Sequence, residues 1–288
     1  MNQTINVATY IRTAAASKEM RSRARLRVAQ MVTAGDLLAY QGRSQNIRAS
    51  DFGSCRLALW ADMHDLNDIA RDPIDDQLTR LDVGSLMGAW LGALLEQGAV
   101  DDGWDVMLEY VPSTGGHIDA LMRRRCGGCN EEGDGSRYNY SNEAGDGSGY
   151  NYGTPCSSCD GAGWFWAHVV EFKTGYDTAV AKDDNMAHQL QAARYAHATN
   201  AAQFTLVYVK VAAPKGKRIA QFTFDAEAYR EPVAQEITRL ESALGADAPT
   251  PDPVEVWRCY TCRYGACDRN KNKAKDDTGA RDLEELFA

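Results

Sequence analysis

Apolar and polar residues alternate along the chain in a way that predicts a fixed order of helices and strands. Residues 5–48 are rich in Ala, Arg, Leu and Met and predict helix, with a break at Gly35-Asp36. Ser50-Asp51 offers an N-cap for a helix over 52–60. A further helix is predicted over 85–97, where apolar residues recur at helical spacing along one face.

Shorter stretches with β-type composition follow, separated by turn-forming residues. We predict strands over 104–111, 115–122, 167–173, 204–209 and 218–224. One helix is predicted between the third and fourth of these strands, and another over 225–244. Strands and helices combined in this order predict an α/β protein.

Composition and charge narrow the class of protein. The chain has 288 residues, 44% of them hydrophobic and 25% charged, as in ordinary globular proteins. It has neither an apolar run of about 20 residues nor a secretion signal at its start, so we expect a cytoplasmic protein without a membrane partner. A net charge of -9 argues against a wholly basic nucleic-acid coat, but it leaves room for a nuclease with acidic metal ligands.

Charged residues lie at the ends of two predicted strands. Asp119 ends one strand, and Glu171 and Lys173 end the next, where alternation places them on the same face. If these strands form a hairpin, Asp119 lies opposite Glu171, and the two carboxylates converge on a hard cation such as Mg²⁺. The same residues are also compatible with an ordinary surface Asp and a half-exposed Glu/Lys pair.

The eight cysteines fall into two sets of four. One set is two Cys-x-x-Cys pairs, which predict a tetrahedral Zn²⁺ site in a ribbon over 123–166: Cys126, Cys129, Cys156 and Cys159. The other combines an upstream cysteine with three near the C-terminus: Cys55, Cys259, Cys262 and Cys267. Four thiolates suit an iron–sulfur cluster or Zn²⁺, and the residues alone leave both metals open.

These segments together resemble the PD-(D/E)XK nuclease superfamily, and within it the RecB-like branch that includes the CRISPR-associated iron–sulfur exonucleases. Residues 116–119 are similar to the G-x-I-D strand of that branch, and residues 171–173 to its E-x-K strand. Residues 191–195 are similar to its Q-x-x-x-Y helix. The segment 50–56 resembles the upstream cysteine segment, and Cys259-x-x-Cys262-x(4)-Cys267 the C-terminal cluster, so that the resemblance covers roughly residues 49–270.

The resemblance implies a fold and a set of roles. The fold would be restriction-endonuclease-like, with a mixed central sheet flanked by helices. A helical extension would cover 1–48 and a nuclease domain 49–288, with the ribbon inserted within it. Asp119 and Glu171 would bind Mg²⁺ or Mn²⁺, with the Phe172 carbonyl as a further ligand. Lys173 would be the catalytic lysine. Two helix residues would orient DNA or the active-site strand, namely Gln191 and Tyr195.

The metal centres follow from the same resemblance. The one-plus-three cysteine set would hold a 4Fe–4S cluster that joins the N-terminal and C-terminal parts of the domain. Cys156-x-x-Cys159-x-Gly161-x-Gly163 also resembles one repeat of the DnaJ-type zinc module. One feature departs from the family, because Gly88 stands where relatives often place a metal-binding histidine; Glu96 on the same helix is a candidate replacement.

The expected function is metal-dependent hydrolysis of DNA, as an exonuclease in recombination, repair or phage replication. The expected partners are single-stranded or double-stranded DNA ends, together with replication or recombination proteins. The alternative is a catalytically silent DNA-binding adaptor in which the metal centres serve as scaffolds. The missing histidine and the acidic charge balance favour this alternative.

Overall fold

The computed structural model describes residues 5–34, 47–64, 66, 76–112, 116–125, 164–175, 185–210, 218–245, 247–252, 262, 264 and 266–269. Both Cys-x-x-Cys pairs of the predicted zinc ribbon and Cys259 lie outside the described residues. Within the described part, the protein is a mixed α/β structure in which helices cover both faces of one sheet.

The described residues form six α-helices: α1 Val7–Ala16, α2 Lys18–Ala34, α3 Arg56–Met63, α4 Asp76–Ala99, α5 Met186–Ala198 and α6 Arg230–Glu241. Helix α1 buries Val7, Ile11 and Ala14, which lie one helical turn apart. Asn6 caps it by accepting a hydrogen bond from the Thr9 N–H at 3.1 Å. None of the described helices is both long and apolar enough to cross a bilayer.

In the part of the chain that the structure describes, the sheet has five strands in sequence order: β1 Asp105–Tyr110, β2 Ile118–Arg125, β3 Trp164–Gly175, β4 Gln203–Lys210 and β5 Ile219–Asp225. β1, β2 and β3 pair antiparallel, β3 and β4 pair parallel, and β4 and β5 pair antiparallel. The predicted mixed sheet and the β2–β3 hairpin are therefore confirmed. Helix α5 makes the crossover between the two parallel strands, as a parallel connection requires.

Two buried clusters lie on opposite faces of the sheet. On one face, α3, α5 and α6 pack over residues such as Val169 and Leu206. On the other, α1, α2 and α4 pack over Val170 and Val207. Because α1 shares a cluster with the central strands, residues 5–16 belong to the core around the sheet. The helical N-terminal extension over 1–48 stays a prediction.

One predicted helix start is wrong. Asp51 does not cap a helix over 52–60, because residues 49–51 form a short 3₁₀ turn in which the Asp51 carboxylate accepts the Arg48 N–H at 2.8 Å. Helix α3 begins five residues later, at Arg56, and Cys55 is its N-cap residue. The turn at 52–53 keeps the chain out of helical geometry, since Gly53 has a φ of 74°.

A series of hydrogen-bonded polar side chains crosses the sheet from β3 to α1, and it is buried at the β3 end. The His168 Nε2 lies 2.7 Å from the Thr205 hydroxyl, which lies 2.8 Å from that of Thr223. Gln221 continues the chain by accepting the Ala8 N–H at 2.8 Å and donating to the Ile5 carbonyl. Burial lowers the pKa of His168 from 6.5 to about 4.

We expect His168 to make the stability of the protein fall in acid. Its folded-state pKa lies below the unfolded value, so the unfolded chain binds the proton first as pH falls. Stability is full above pH 6.5 and is lost between about pH 6.5 and pH 4, by about 2 kcal/mol at pH 5. Urea unfolding at pH 7.5 and pH 5 measures this loss. His168→Gln should remove that part of the slope, whereas substitution of the exposed His64 should retain it.

Candidate active site

The hairpin of β2 and β3 brings the two predicted carboxylates to the point where the strands separate. Their pairing continues from Arg123↔Ala167 to Ala120↔Val170, one residue short of Asp119 and Glu171. There the Asp119 Oδ2 accepts the backbone N–H of Phe172 at 2.6 Å. The Asp119 side chain thus takes a hydrogen bond that a strand carbonyl would otherwise receive, and it is fixed beside β3.

Glu171 uses one of its two carboxylate oxygens for hydrogen bonds within the protein. Its Oε1 accepts from the Lys173 Nζ at 2.8 Å and from the Gln191 Nε2 at 2.9 Å. Lys173 also donates to the Gln191 Oε1 at 2.9 Å, so the three side chains form a closed triangle. Gln191 reaches them from α5, which packs on this face of β3 and β4.

The second oxygen of Glu171 is buried and has no hydrogen-bond partner among the described residues. Only 4% of the Glu171 side chain is exposed, and a buried carboxylate oxygen without a partner is costly. Burial raises the pKa of Asp119 well above its usual value, and the Glu171 charge raises it further. Two close carboxylates and a free buried oxygen are the donor set that fits a hard divalent cation.

Tyr195 lies beside the site on the next turn of α5, four residues after Gln191. It is 1% exposed, and burial, followed by the Glu171 charge, raises its pKa, so it stays a neutral hydroxyl. Hydrogen bonds from the Gln191 side chain and the His117 backbone oppose this rise in pKa. The sequence predicts that Gln191 and Tyr195 lie on one helix. In the structure Gln191 donates a hydrogen bond to Glu171, and Tyr195 lies within electrostatic reach of it.

The backbone at Gly116 packs closely against the Tyr195 side chain. Its φ is 87°, and a Cβ added there would lie 2.6 Å from the Tyr195 hydroxyl. The G-x-I-D segment therefore needs glycine at this position for its backbone conformation and for the tyrosine that packs against it.

We expect Gly116→Ala to destabilise the protein by about 3 kcal/mol and to displace Tyr195. Gly103→Ala is the matched control, because Gly103 has a φ of 75° with nothing within 4 Å of an added Cβ, and it should cost only about 1 kcal/mol. Tyr195→Phe should restore part of the loss when combined with Gly116→Ala. Urea unfolding of all four variants gives the coupling free energy, and additive effects would contradict the steric account.

Two further side chains line the same region and were not indicated by the sequence motifs. Glu109 on β1 has a φ of 51°, which is unusual for a long side chain. Its Oε2 lies 3.7 Å from the His117 Nδ1. Counting residues back from Asp119 along a β1–β2 hairpin would have indicated Glu109, because the register places it across from Asp119. Its backbone conformation has no sequence signal.

Glu96, the candidate replacement for the missing histidine, lies away from Asp119 and Glu171. Glu96 forms an ion pair with Arg27 of α2 at 3.5 Å, and burial raises its pKa, with Asp105 at the start of β1 raising it further. Asp105 is at the opposite end of β1 from the Asp119 site. Glu96 therefore makes no described contact with Asp119 or Glu171. An added Cβ at Gly88 would meet nothing within 4 Å.

The described cysteines lie beside a network of charged residues. Cys55 and Cys267 both pack against the core cluster under α3 and α6. The Asp252 carboxylate accepts from the Arg56 N–H at 2.9 Å, from the Arg56 Nε at 2.9 Å and from the Arg239 Nη1 at 2.5 Å. Arg239 also donates to the Ser54 carbonyl at 2.9 Å. The network thus ties the start of α3 to α6 and to the segment that leads to the C-terminal cysteines.

Arg239 lies near the Cys55 thiol. Its pKa is raised first by the hydrogen bond to Glu236, and Asp252 and Cys55 add to the rise. Among the described residues, no group of three or more His, Cys, Asp or Glu side chains is arranged to hold a metal ion. Cys259, the remaining member of the predicted set, lies outside that part of the chain.

The comparisons with known proteins add little. No protein-family model and no curated protein matches the chain. Among solved structures, the chain is similar to the crystal structure of SSO0001, with a TM-score of 0.42 and 13% identity over 88% of this chain and 98% of that chain. A TM-score of this size is too low to assign a fold or a function.

Proposed function

We propose that the protein is a metal-dependent DNA nuclease whose active site lies where β2 and β3 separate. The observation that carries the proposal is the Glu171 Oε2, a buried carboxylate oxygen without a described partner, next to the Asp119 carboxylate. A protein that needed Glu171 only for structure would gain by pairing or neutralising that oxygen. A cation site requires it to stay free.

Each residue of the site has a role in this proposal. Asp119 and Glu171 would hold Mg²⁺ or Mn²⁺, with the Phe172 carbonyl as a further oxygen ligand. When bound there, a divalent cation would supply Lewis-acid chemistry to the phosphodiester and would make a water more acidic. Lys173 lies beside Glu171 with its ammonium group held by two acceptors, which places a positive charge where negative charge develops during hydrolysis.

Gln191 and Tyr195 act as positioning residues. The Gln191 amide accepts a hydrogen bond from Lys173 and donates one to Glu171, so it holds the lysine beside the Glu171 carboxylate. Tyr195 packs against Gly116 and positions the backbone that leads into Asp119. A site built on the sheet and one helix holds its groups more rigidly than a loop would, which favours preorganised charge stabilisation.

The order of the motifs supports DNA as the substrate. The G-x-I-D, E-x-K and Q-x-x-x-Y segments lie on β2, β3 and α5, and the last two supply side chains that contact each other. In the resembling nucleases these segments cleave DNA on a restriction-endonuclease-like fold. We propose the same fold and substrate here, with single-stranded or double-stranded DNA ends as ligands, and with replication or recombination proteins as partners in the cytoplasm.

The cysteine sets serve as structural centres in this proposal. A 4Fe–4S cluster on Cys55, Cys259, Cys262 and Cys267 joins α3 to the C-terminal segment; Zn²⁺ is the alternative metal for four thiolates. The Asp252 network supports this placement, because it already draws the two segments together. Zn²⁺ on the two Cys-x-x-Cys pairs would hold the inserted ribbon.

Cleavage assays on plasmid and fluorescent oligonucleotides test the proposal. We expect degradation in the presence of Mg²⁺ or Mn²⁺, and none with EDTA. Protein purified without oxygen, with iron and zinc quantified, ensures that both structural centres are intact. Tight DNA binding without cleavage under either metal would contradict the nuclease and support the adaptor.

A further inference from the structure

His188 lies on the same face of α5 as the two helix residues of the candidate site. It precedes Gln191 by three residues and Tyr195 by seven, and residues at this spacing lie above one another along a helix. Helix α5 joins the parallel strands β3 and β4, so it begins near their carboxyl ends. Ligands of open α/β sheets bind at those ends, and His188 is in the first turn of α5 there.

The His188 side chain contacts β4 at the position next to Lys173. Its Nδ1 lies 2.9 Å from the Tyr208 hydroxyl, and the two ring centroids are 5.8 Å apart. Tyr208 is the residue of β4 that pairs with Lys173 in the parallel register, across strands about 4.8 Å apart. Both side chains project toward α5, since each forms a hydrogen bond with a residue of that helix. Tyr208 therefore lies directly beside the lysine.

Contacts on two further sides set the position of the Tyr208 ring. Tyr208 is only 1% exposed, and a buried hydroxyl requires a hydrogen-bond partner, which His188 supplies from α5. On the side away from β3, Phe222 of β5 contacts the ring edge-on, with the centroids 6.0 Å apart. The ring is thus held by α5 and β5, and it borders Lys173 on its remaining side.

We propose that His188 is a positioning residue of the candidate active site, which acts through Tyr208 to place the Lys173 ammonium group. This inference rests on the proposed function, because it takes Lys173 as the group that stabilises developing negative charge. The hydrogen bond to Gln191 holds the lysine from α5, and the His188–Tyr208 pair borders it on the β4 side. A shift of about 1 Å in a charged group can cost about 100-fold in rate, so loss of this pair should lower kcat.

A double-mutant cycle on DNA cleavage tests the inference. We expect His188→Leu and Tyr208→Phe each to lower kcat by about tenfold and to change KM by less than about twofold. The double variant should be no slower than either single variant, because both changes break the same hydrogen bond. His188→Asn, which keeps a hydrogen-bonding atom near the position of Nδ1, should recover most of the lost kcat.

His197→Leu is the matched control. His197 is a half-buried histidine of the same helix, and its Nε2 lies 2.8 Å from the Ala226 carbonyl oxygen, away from Lys173. Its replacement removes a comparable contact of α5, so stability can fall while kcat stays at the wild-type value.

A second measurement follows Lys173 without requiring cleavage. Reductive methylation with ¹³C-formaldehyde gives each accessible lysine an NMR signal and keeps its charge, and Lys173→Arg identifies the signal of Lys173, whose side chain is 19% exposed. We expect His188→Leu and Tyr208→Phe to shift this signal, and His197→Leu to leave it unchanged. Circular dichroism checks that each variant is folded, and Tyr208→Phe carries the test if His188→Leu does not fold.

The possible results separate this inference from the proposed function. Wild-type kcat in His188→Leu, or additive losses in the double variant, would overturn the positioning role and leave the nuclease standing. An unchanged Lys173 signal in both single variants would overturn it as well. A wild-type protein that does not cleave DNA would refute the nuclease, and the Lys173 signal would still decide whether His188 positions the lysine.

Discussion

Glu171→Gln is expected to reduce metal-dependent DNA cleavage by at least about 100-fold in kcat/KM, or about 2.7 kcal/mol of transition-state stabilisation. The substitution removes the negative charge and the free Oε2 acceptor, and both are needed to hold a cation beside Asp119. It keeps an acceptor at the position of Oε1, which Lys173 and Gln191 use. The fold should therefore survive while activity is lost.

Two measurements and one control variant together check this expectation. Oligonucleotide cleavage gives the loss of activity, urea unfolding shows that stability without metal is maintained, and Glu96→Gln controls for removal of a partly buried carboxylate elsewhere. Retained cleavage in Glu171→Gln would refute the assignment of the site. Lost cleavage together with a large loss of stability would indicate that Glu171 has a structural role.

Asp252→Ala is expected to destabilise the protein by about 2 kcal/mol and to lower its iron content. Asp252 neutralises two guanidinium groups, Arg56 and Arg239, and caps the first turn of α3 through the Arg56 N–H. Breaking a buried ion pair costs more than this, but these arginine side chains are 29% and 30% exposed and water screens part of the loss. Without the network, the C-terminal cysteine segment loses its tie to Cys55.

Asp247→Ala is the control for this prediction, because Asp247 is an exposed acidic residue in the same segment. It should leave stability and iron content unchanged. Iron per chain, visible absorbance and urea unfolding are the readouts. Unchanged iron content in Asp252→Ala would show that the network does not position the cysteines, whatever the effect on stability.

Much of the sheet and of its acidic pair follows from local patterns. Strand alternation places Glu171 and Lys173 on one face, and a β2–β3 hairpin places Asp119 across from Glu171. The structure contains that hairpin, with Ala120↔Val170 as the nearest paired residues. Helical spacing likewise predicts that Gln191 and Tyr195 share a face of α5. Each of these inferences needs only the side-chain repeat of a strand or helix, together with the pairing of β2 with β3.

Features that depend on tertiary contacts could not be predicted from the sequence. The positive φ of Glu109 arises in a strand whose residues carry no turn signal. The bond between Arg56 and Asp252 joins residues 196 positions apart, and no local pattern links them. The start of α3 was misplaced because Ser50-Asp51 is a good helix cap by composition, while the Asp51 side chain instead caps its own 3₁₀ turn.

The most direct test of the account is an anomalous difference map from crystals grown with Mn²⁺. The account predicts a peak between the Asp119 carboxylate and the Glu171 Oε2, at about 2.0–2.2 Å from that oxygen. Lys173 should remain on the Oε1 side of Glu171, as its 2.8 Å hydrogen bond indicates. A map in which Mn²⁺ binds elsewhere, or in which Lys173 occupies the space between the two carboxylates, would contradict it.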